Sequence, residues 1–334
     1  MSIVHARPYG ARAIRRDPTM LLTPRCSDPA LSEADRERIT SYLLASLSPA
    51  TRAAYATDWQ SFTVWCAERD VLSLQATPAQ IASWLSSLAE AGRKASGIAR
   101  ARAALSHAFQ GQEHNPVKAP GVERVMAGIR RTLGTAPIRK QAATAEIVRD
   151  MLAHCPSSLS GQRDQALLTL GFAGALRRSE LVALTTDDLL FQERGLLVTI
   201  RRSKTDQDGS GQTIGIPNGR RLRPVDAVRS WLAASGITQG PVFRSITRHG
   251  HLSTQPLSDR SVATIVKTYA HAAGYDSRGF SGHSLRAGFV TSGAQTGQDA
   301  LALARVTRHK NLSVLQTYVR DDAPFLNHPG EAFL

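Results

Sequence analysis

Four short segments in the second half of this 334-residue chain carry residue types that can act on an anion. GALRRSELVAL, residues 174–184, places Arg177 after an apolar run, with Glu180 three residues on, about one helical turn along the same face. RRSKTDQDGSG, residues 201–211, sets Lys204 in a glycine-rich turn. SGHSLRAGF, residues 281–289, spaces His283 and Arg286 so that a helix presents an imidazole and a guanidinium on one side. VTRHKNLSVLQTYVR, residues 306–320, sets His309 in a basic turn and Tyr318 on a following helical pattern. Arginine is permanently charged and grips phosphate oxygens two at a time. Histidine exchanges protons near neutrality, and a tyrosine whose proton is drawn off among cations becomes a nucleophile. Taken singly, each segment also fits a structural role: a surface ion pair, a solvated turn lysine, a capped helix start, a tyrosine on an apolar stripe. The glycines near 209–211 do not form a nucleotide loop, because no strand-to-helix turn with GxGxxG spacing follows.

The chain that must position these residues is basic. Its 41 Lys and Arg against 27 Asp and Glu give a formal charge of +14, which points to a polyanionic partner. The longest nearly apolar run, Ala166 to Leu176, is short of the ~20 residues that span a bilayer, so nucleic acid rather than membrane is the expected partner. No basic-then-apolar leader with a small-residue cleavage site opens the sequence, and a cytoplasmic, nucleoid-associated location is expected. Cys26, Cys66 and Cys155 are odd in number and far apart, which fits neither a disulfide framework nor a CxxC metal knuckle. Asp187, Asp206 and Asp208 share no ligand spacing with the histidines, so no metal and no other cofactor is expected.

The length favours two domains. Residues 1–47 read as an N-terminal extension, partly flexible and arginine-rich among prolines, ending in a short helix at 32–46 whose start, Ser32 with Asp35, resembles a capping box. Residues 48–134 read as all helix. Ser48-Pro49 opens a helix with Tyr55, Trp59, Phe62 and Cys66 at helical spacing, and Thr77-Pro78 opens another with Ile81, Trp84 and Leu88 inward. Residues 95–109 and 121–133 supply two more. Residues 48–140 hold twelve Lys and Arg against six Asp and Glu, and Arg93, Lys94, Arg100 and Arg102 cluster at the start of the third helix. With Arg139 and Lys140 they are the expected DNA-facing cations. Residues 135–144 lack apolar periodicity and read as a linker.

Residues 145–334 read as a mainly α catalytic domain with a C-terminal tail. Helical patterns at 162–173 and 179–184 precede the only β signal, 189–191, 196–201 and 213–216, which forms one small antiparallel sheet. Helical patterns return at 225–234, 258–273, 284–291, 299–306 and 312–319.

The four segments in this order and spacing resemble the tyrosine recombinase (phage integrase) family, over about residues 48–320. The resemblance implies the DNA breaking-rejoining fold, with 48–134 as a SAM-like core-binding domain. It implies Arg177 and Arg286 as the catalytic arginines, Glu180 as the acidic residue accompanying Arg177, Lys204 as the hairpin lysine, His283 and His309 as the histidines, and Tyr318 as the nucleophile. It further implies a 3′-phosphotyrosyl intermediate and strand exchange without metal or ATP. Lys204 is then the candidate acid for the 5′ leaving oxygen, and His283 the candidate acceptor of the phenolic proton. The implied partner is double-stranded DNA with inverted-repeat core sites, bound by a homodimer on a site and a homotetramer at synapsis, with accessory DNA-bending or directionality factors allowed.

Two departures stand out: Arg178 where an apolar residue is common, and Arg308 where glycine is common. The apolar residues of the tail, 322–334, suggest docking on a neighbouring protomer. Two rival readings are a type IB topoisomerase relaxing DNA as a monomer and a catalytically inactive DNA-binding relative. The separate helical domain and the HxxR pair followed by His309 disfavour the first, and retention of all seven groups disfavours the second. Tyr269 and Tyr275 are the reserve nucleophile candidates.

Overall fold

The computed structural model describes residues 30–110, 113–136, 140–201 and 211–309. The chain divides into two compact units, 1–137 and 138–334.

The first unit is helical throughout. Helix α1 (Glu33–Ala45) is capped by Ser32, whose hydroxyl accepts from the Asp35 amide, yet it buries no residue. Helices α2 (Pro49–Ala67) and α3 (Pro78–Glu90) each start on a hydroxyl cap followed by proline at the first turn, where a missing N–H costs nothing. Thr77 and Gln80 close a full capping box. Helices α4 (Ala95–Ala108) and α5 (Pro120–Leu133) complete the bundle. Trp59, Phe62, Ile81, Trp84, Ile98, Leu105 and Met126 form one core, in which Phe62 and Trp84 meet edge to face with centroids 5.0 Å apart.

The second unit is built around α7 (Leu159–Ala173), whose Ala166, Leu167, Leu168 and Leu170 are wholly buried. A helix apolar on nearly every side must sit inside its unit. Helix α6 (Ala145–Leu152) precedes it and α8 (Arg178–Ala183) follows. Strands β1 (Leu189–Gln192), β2 (Gly195–Ile200) and β3 (Gln212–Ile216) form an antiparallel sheet in that order, with Leu196 opposite both Phe191 and Ile216. Alternate residues of β2, Leu196, Val198 and Ile200, enter the core. Then come α9 (Pro224–Ser235), a second antiparallel pair β4 (Arg244–Ile246) and β5 (Leu252–Pro256), α10 (Asp259–Ala272), α11 (Ser284–Gln295) and α12 (Ala300–Thr307). Cys66 and Cys155 are free thiols.

Three features differ from the sequence reading. Helix α6 and the β4–β5 pair were not anticipated: α6 is amphipathic but only two turns long, and the two strands are short and only partly buried. Residues 141–143, read as linker, are docked. Gln141 N–H donates to Gly279 O at 2.8 Å and Ala143 N–H to Ser284 O at 2.9 Å, with Ala143 fully buried. Gly288 makes this possible, because a Cβ there would lie 1.7 Å from Ala143 O.

Candidate active site

The site grows out of the turn between α7 and α8. Gly171, near the end of α7, lets α8 and α11 close in: a Cβ there would touch Leu181 and Leu285 at 3.0 Å. Leu181 belongs to the helix that Arg177 opens, and Leu285 directly precedes Arg286. Ala175 then adopts a left-handed backbone (φ 44°), and Arg177 caps α8.

Glu180 is 3% exposed and holds Arg177 twice, accepting its backbone N–H at 2.9 Å and its Nη1 at 2.5 Å. Arg286, only 1% exposed, donates from Nη1 to Ala175 O at 2.8 Å. Its Nη2 lies 3.3 Å from His309 Nε2. His309 Nδ1 lies 2.7 Å from the Thr307 hydroxyl, which itself donates to Leu303 O at 2.7 Å. With the hydroxyl proton committed to that carbonyl, the hydrogen-bond pattern assigns the ring proton to Nδ1 and leaves Nε2 to accept from Arg286. Burial, followed by the fields of Arg286, Arg177, His283 and Arg308, pushes the His309 pKa down to about 4. The ring is therefore neutral at pH 7.

His283 stands exposed at the start of α11, one turn before Arg286, with its backbone N–H bonded to Ser281 Oγ at 3.2 Å. Arg177, Glu180, Arg286 and His309 thus form one connected group, with His283 near enough to bias the His309 ring. Lys204 and Tyr318 lie outside the described residues, as do Arg139 and the tail 322–334.

Both reserve tyrosines are tied down. Tyr269 is buried and donates to Asp164 Oδ2 at 3.0 Å, and burial with that carboxylate drives its pKa up. Tyr275 donates to Asp150 Oδ2 at 2.7 Å, a bond that also raises its pKa. A phenol held by a carboxylate resists forming the phenolate.

The cations named in the first unit are mostly paired. Buried Asp58 accepts from Arg93 Nη1 at 3.2 Å and, as a fork, from Arg100 Nε at 2.8 Å and Nη2 at 3.1 Å. Arg102 pairs with Glu123 at 2.5 Å, and Lys94 is exposed at the start of α4. In the second unit, Lys140 Nζ donates to Arg278 O at 2.7 Å.

The residues sequence reasoning passed over are Arg308, Thr307 and Ala175. Arg308 was noticed only as a departure from glycine; no local pattern links it to Glu180, which its Nη2 meets at 2.8 Å. Thr307 and Ala175 have ordinary side chains whose importance lies in a hydroxyl and a carbonyl.

A helical unit followed by an α-rich unit with small antiparallel sheets, and two guanidiniums, Arg286 buried and Arg177 half-buried, with imidazoles beside them, is the architecture of enzymes that break and rejoin DNA strands. Residues 141–324 match the Phage integrase family and residues 39–114 the Phage integrase, N-terminal SAM-like domain. The chain is 42% identical over 279 residues to an integrase/recombinase xerD homolog of Selenomonas ruminantium, covering 80% of this chain and 81% of that protein. It is 26% identical over 290 residues to tyrosine recombinase XerD of Chlorobaculum tepidum, covering 85% and 90%. Its fold is similar to that of the XerH site-specific recombinase bound to a palindromic difH substrate in a post-cleavage complex, with TM-score 0.65 and 15% identity over 89% of this chain and 84% of that one. It is also similar to a lambda integrase dimer bound to a COC′ core site, with TM-score 0.57 and 16% identity over 86% and 76%. The chain belongs to the phage integrase family of tyrosine recombinases. Among the described residues no helix is long and apolar enough to cross a membrane.

Proposed function

We propose that this recombinase cuts DNA at a specific site by attack of Tyr318 on a scissile phosphate gripped by Arg177 and Arg286. A phosphodiester repels nucleophiles through its own charge, so the enzyme must neutralise the non-bridging oxygens as the pentacoordinate transition state forms. The observation that carries the reading is the common mount of the two arginines: Arg177 leaves the α7–α8 turn, and Arg286 is anchored to Ala175 O in that same turn. The bond from the Tyr318 phenolic oxygen to phosphorus forms while the bond to the 5′ oxygen breaks. His283 takes the phenolic proton, and Lys204 supplies one to the departing 5′ oxygen. The phosphotyrosyl ester keeps the energy of the broken bond, so a 5′-hydroxyl from another strand can attack it without ATP.

The substrate on this reading is duplex DNA with inverted-repeat core sites, bound by a homodimer and exchanged in a homotetramer, in the nucleoid. The solved relatives bound to a palindromic substrate and, as a dimer, to a core site support it. Arg93, Lys94, Arg100, Arg102, Arg139 and Lys140 are proposed to follow the backbone, which positions the protein without reading sequence.

The test uses duplexes selected from random sequence by binding to the wild-type protein, then nicked beside the cleavage point so that the cut end escapes. Wild-type protein should become covalently attached to the 3′ side, and Tyr318→Phe should bind the same duplex without attachment. Attachment by the Phe variant would refute the assignment of the nucleophile. Relaxation of supercoiled plasmid without strand exchange would point to a topoisomerase instead.

A further inference from the structure

Arg308 combines three costs that a helix end does not ordinarily accept. It holds a left-handed backbone (φ 57°, ψ 42°), where glycine is at ease and a side chain is strained. Its side chain is 4% exposed, so a permanent charge is taken out of water. Its ion-pair partner, Glu180, is the carboxylate already bonded to Arg177. Ending α12 requires none of this.

The hydrogen bonds show what the side chain holds. Nη2 donates to Glu180 Oε2 at 2.8 Å and to Ala175 O at 3.2 Å. Nη1 donates to Gly174 O at 3.2 Å and to Val306 O at 2.8 Å. Glu180 is the mount of Arg177, and Ala175 O is the mount of Arg286. The next residue along the chain is His309, which meets Arg286. One guanidinium therefore touches the supports of both phosphate-binding arginines and sits beside the histidine.

The charge arithmetic points the same way. With Arg177 as its only cation, the Glu180 carboxylate would neutralise it, and a phosphate would have to compete for that arginine. Shared with Arg308, the carboxylate leaves the trio with one net positive charge, and Arg177 keeps the capacity to take a second anion.

We propose that Arg308 is a positioning residue for DNA cleavage: it ties the Glu180 support of Arg177 to the Ala175 support of Arg286 and shares the Glu180 charge, so that both arginines face the scissile phosphate. This deepens the phosphate-attack reading above and rests on it.

The test is single-turnover covalent attachment to the selected, nicked duplex by wild type and Arg308→Gly, alongside DNA affinity and thermal melting. Glycine relieves the backbone but removes the fork and its buried bond to Glu180, and the second effect should win, so R308G should melt several degrees below wild type. It should bind DNA within a few-fold of wild type and attach on the order of 10–100-fold more slowly, as expected when reacting groups are misplaced rather than removed. Guanidinium at low millimolar concentration should restore part of the rate by entering the vacated space, while urea at the same concentration should not. Wild-type attachment by R308G overturns the proposal, and so does a slow variant that guanidinium fails to help. If R308G melts below the assay temperature, Arg308→Lys keeps the charge but loses the fork: slower attachment at unchanged DNA affinity supports the proposal, and an unchanged rate overturns it. Failure of the wild-type protein to attach at all would count against the phosphotyrosyl reading instead, so the two ideas fail separately.

Discussion

Arg286 donates from Nη1 to the carbonyl oxygen of Ala175 at 2.8 Å, so the arginine of α11 is held by the turn from which Arg177 departs two residues later. That carbonyl is aimed by strain. Ala175 sits at φ 44°, a left-handed conformation that costs a residue with a Cβ about 1–2 kcal/mol. The close packing of α8 and α11 on Gly171 brings the two arginines to the turn, and the turn fixes their direction.

Direction, rather than charge alone, is then what Arg286 supplies. Arg286→Lys keeps the positive charge but loses the flat fork that holds Ala175 O and, on the proposed reading, the scissile phosphate. Its rate of covalent attachment to a nicked duplex should fall by about 10²–10³-fold, the loss typical of a removed preorganised donor. DNA affinity measured by anisotropy should change far less, because the many contacts to the backbone remain. A lysine variant that attaches at the wild-type rate would show that charge alone suffices.

Much of this was legible in the sequence, and the reasons are local. The cap residues Ser48 and Thr77, each followed by proline, mark helix starts, and Trp59 with Phe62 on one helix and Ile81 with Trp84 on the next fall at helical spacing into one core. Arg177, His283, Arg286 and His309 were visible because their types are unusual together and their order is informative. Arg308 was not, because its partner Glu180 is distant in sequence and the bond depends on where two turns meet. The docked residues 141–143 were missed for a related reason: their order comes from α11 and its glycine rather than from any period of their own. Helix α6 does turn Val148 and Met151 inward, but it is too short to stand out.

The neutral His309 makes the second unit sensitive to acid. Its folded pKa is about 4, held down first by burial and then by Arg286, against an ordinary value of 6.5. Between those values the unfolded chain binds the proton and the folded one does not, so stability falls as pH drops from about 6.5 to about 4 and levels off below. Allowing for partial exposure, the loss should be about 1–3 kcal/mol. Urea unfolding at pH 7 and pH 5 measures it, with His309→Asn as the comparison. The drop should be smaller in the variant; an equal drop in both proteins would place the titrating group elsewhere.

Gly288 sets two opposite expectations against each other. In the middle of an exposed helix, Gly→Ala stabilises by about 1 kcal/mol. Here the new Cβ would lie 1.7 Å from Ala143 O and 2.2 Å from its carbonyl carbon, so backbone must move. Overpacking of this kind costs about 1–3 kcal/mol or more, and it should win. Gly288→Ala should therefore lower the melting temperature by about 2–4 °C per kcal/mol lost. It should also loosen the bonds from Gln141 and Ala143 to residues 279 and 284, seen as faster amide exchange at those two positions. A variant that melts higher than wild type would mean that residues 141–143 can shift freely.

Asp58 offers a direct way to ask whether the first-unit arginines meet DNA. It is fully buried and holds Arg93 and Arg100, both still partly open to solvent. Asp58→Asn keeps the size of the side chain and some of its hydrogen bonding but removes the negative charge. Loss of charge-assisted bonds should cost the helical unit about 1.5–3 kcal/mol, seen as a lower melting temperature. At temperatures where the variant stays folded, Arg93 and Arg100 should act as two unshared cations. If they lie along the phosphate backbone, the plot of log affinity against log salt should steepen by about one unit. A slope unchanged from wild type, in a variant shown to be folded, would mean that these two arginines serve the buried carboxylate alone. The DNA-facing role would then pass to Lys94 and the other cations of the unit.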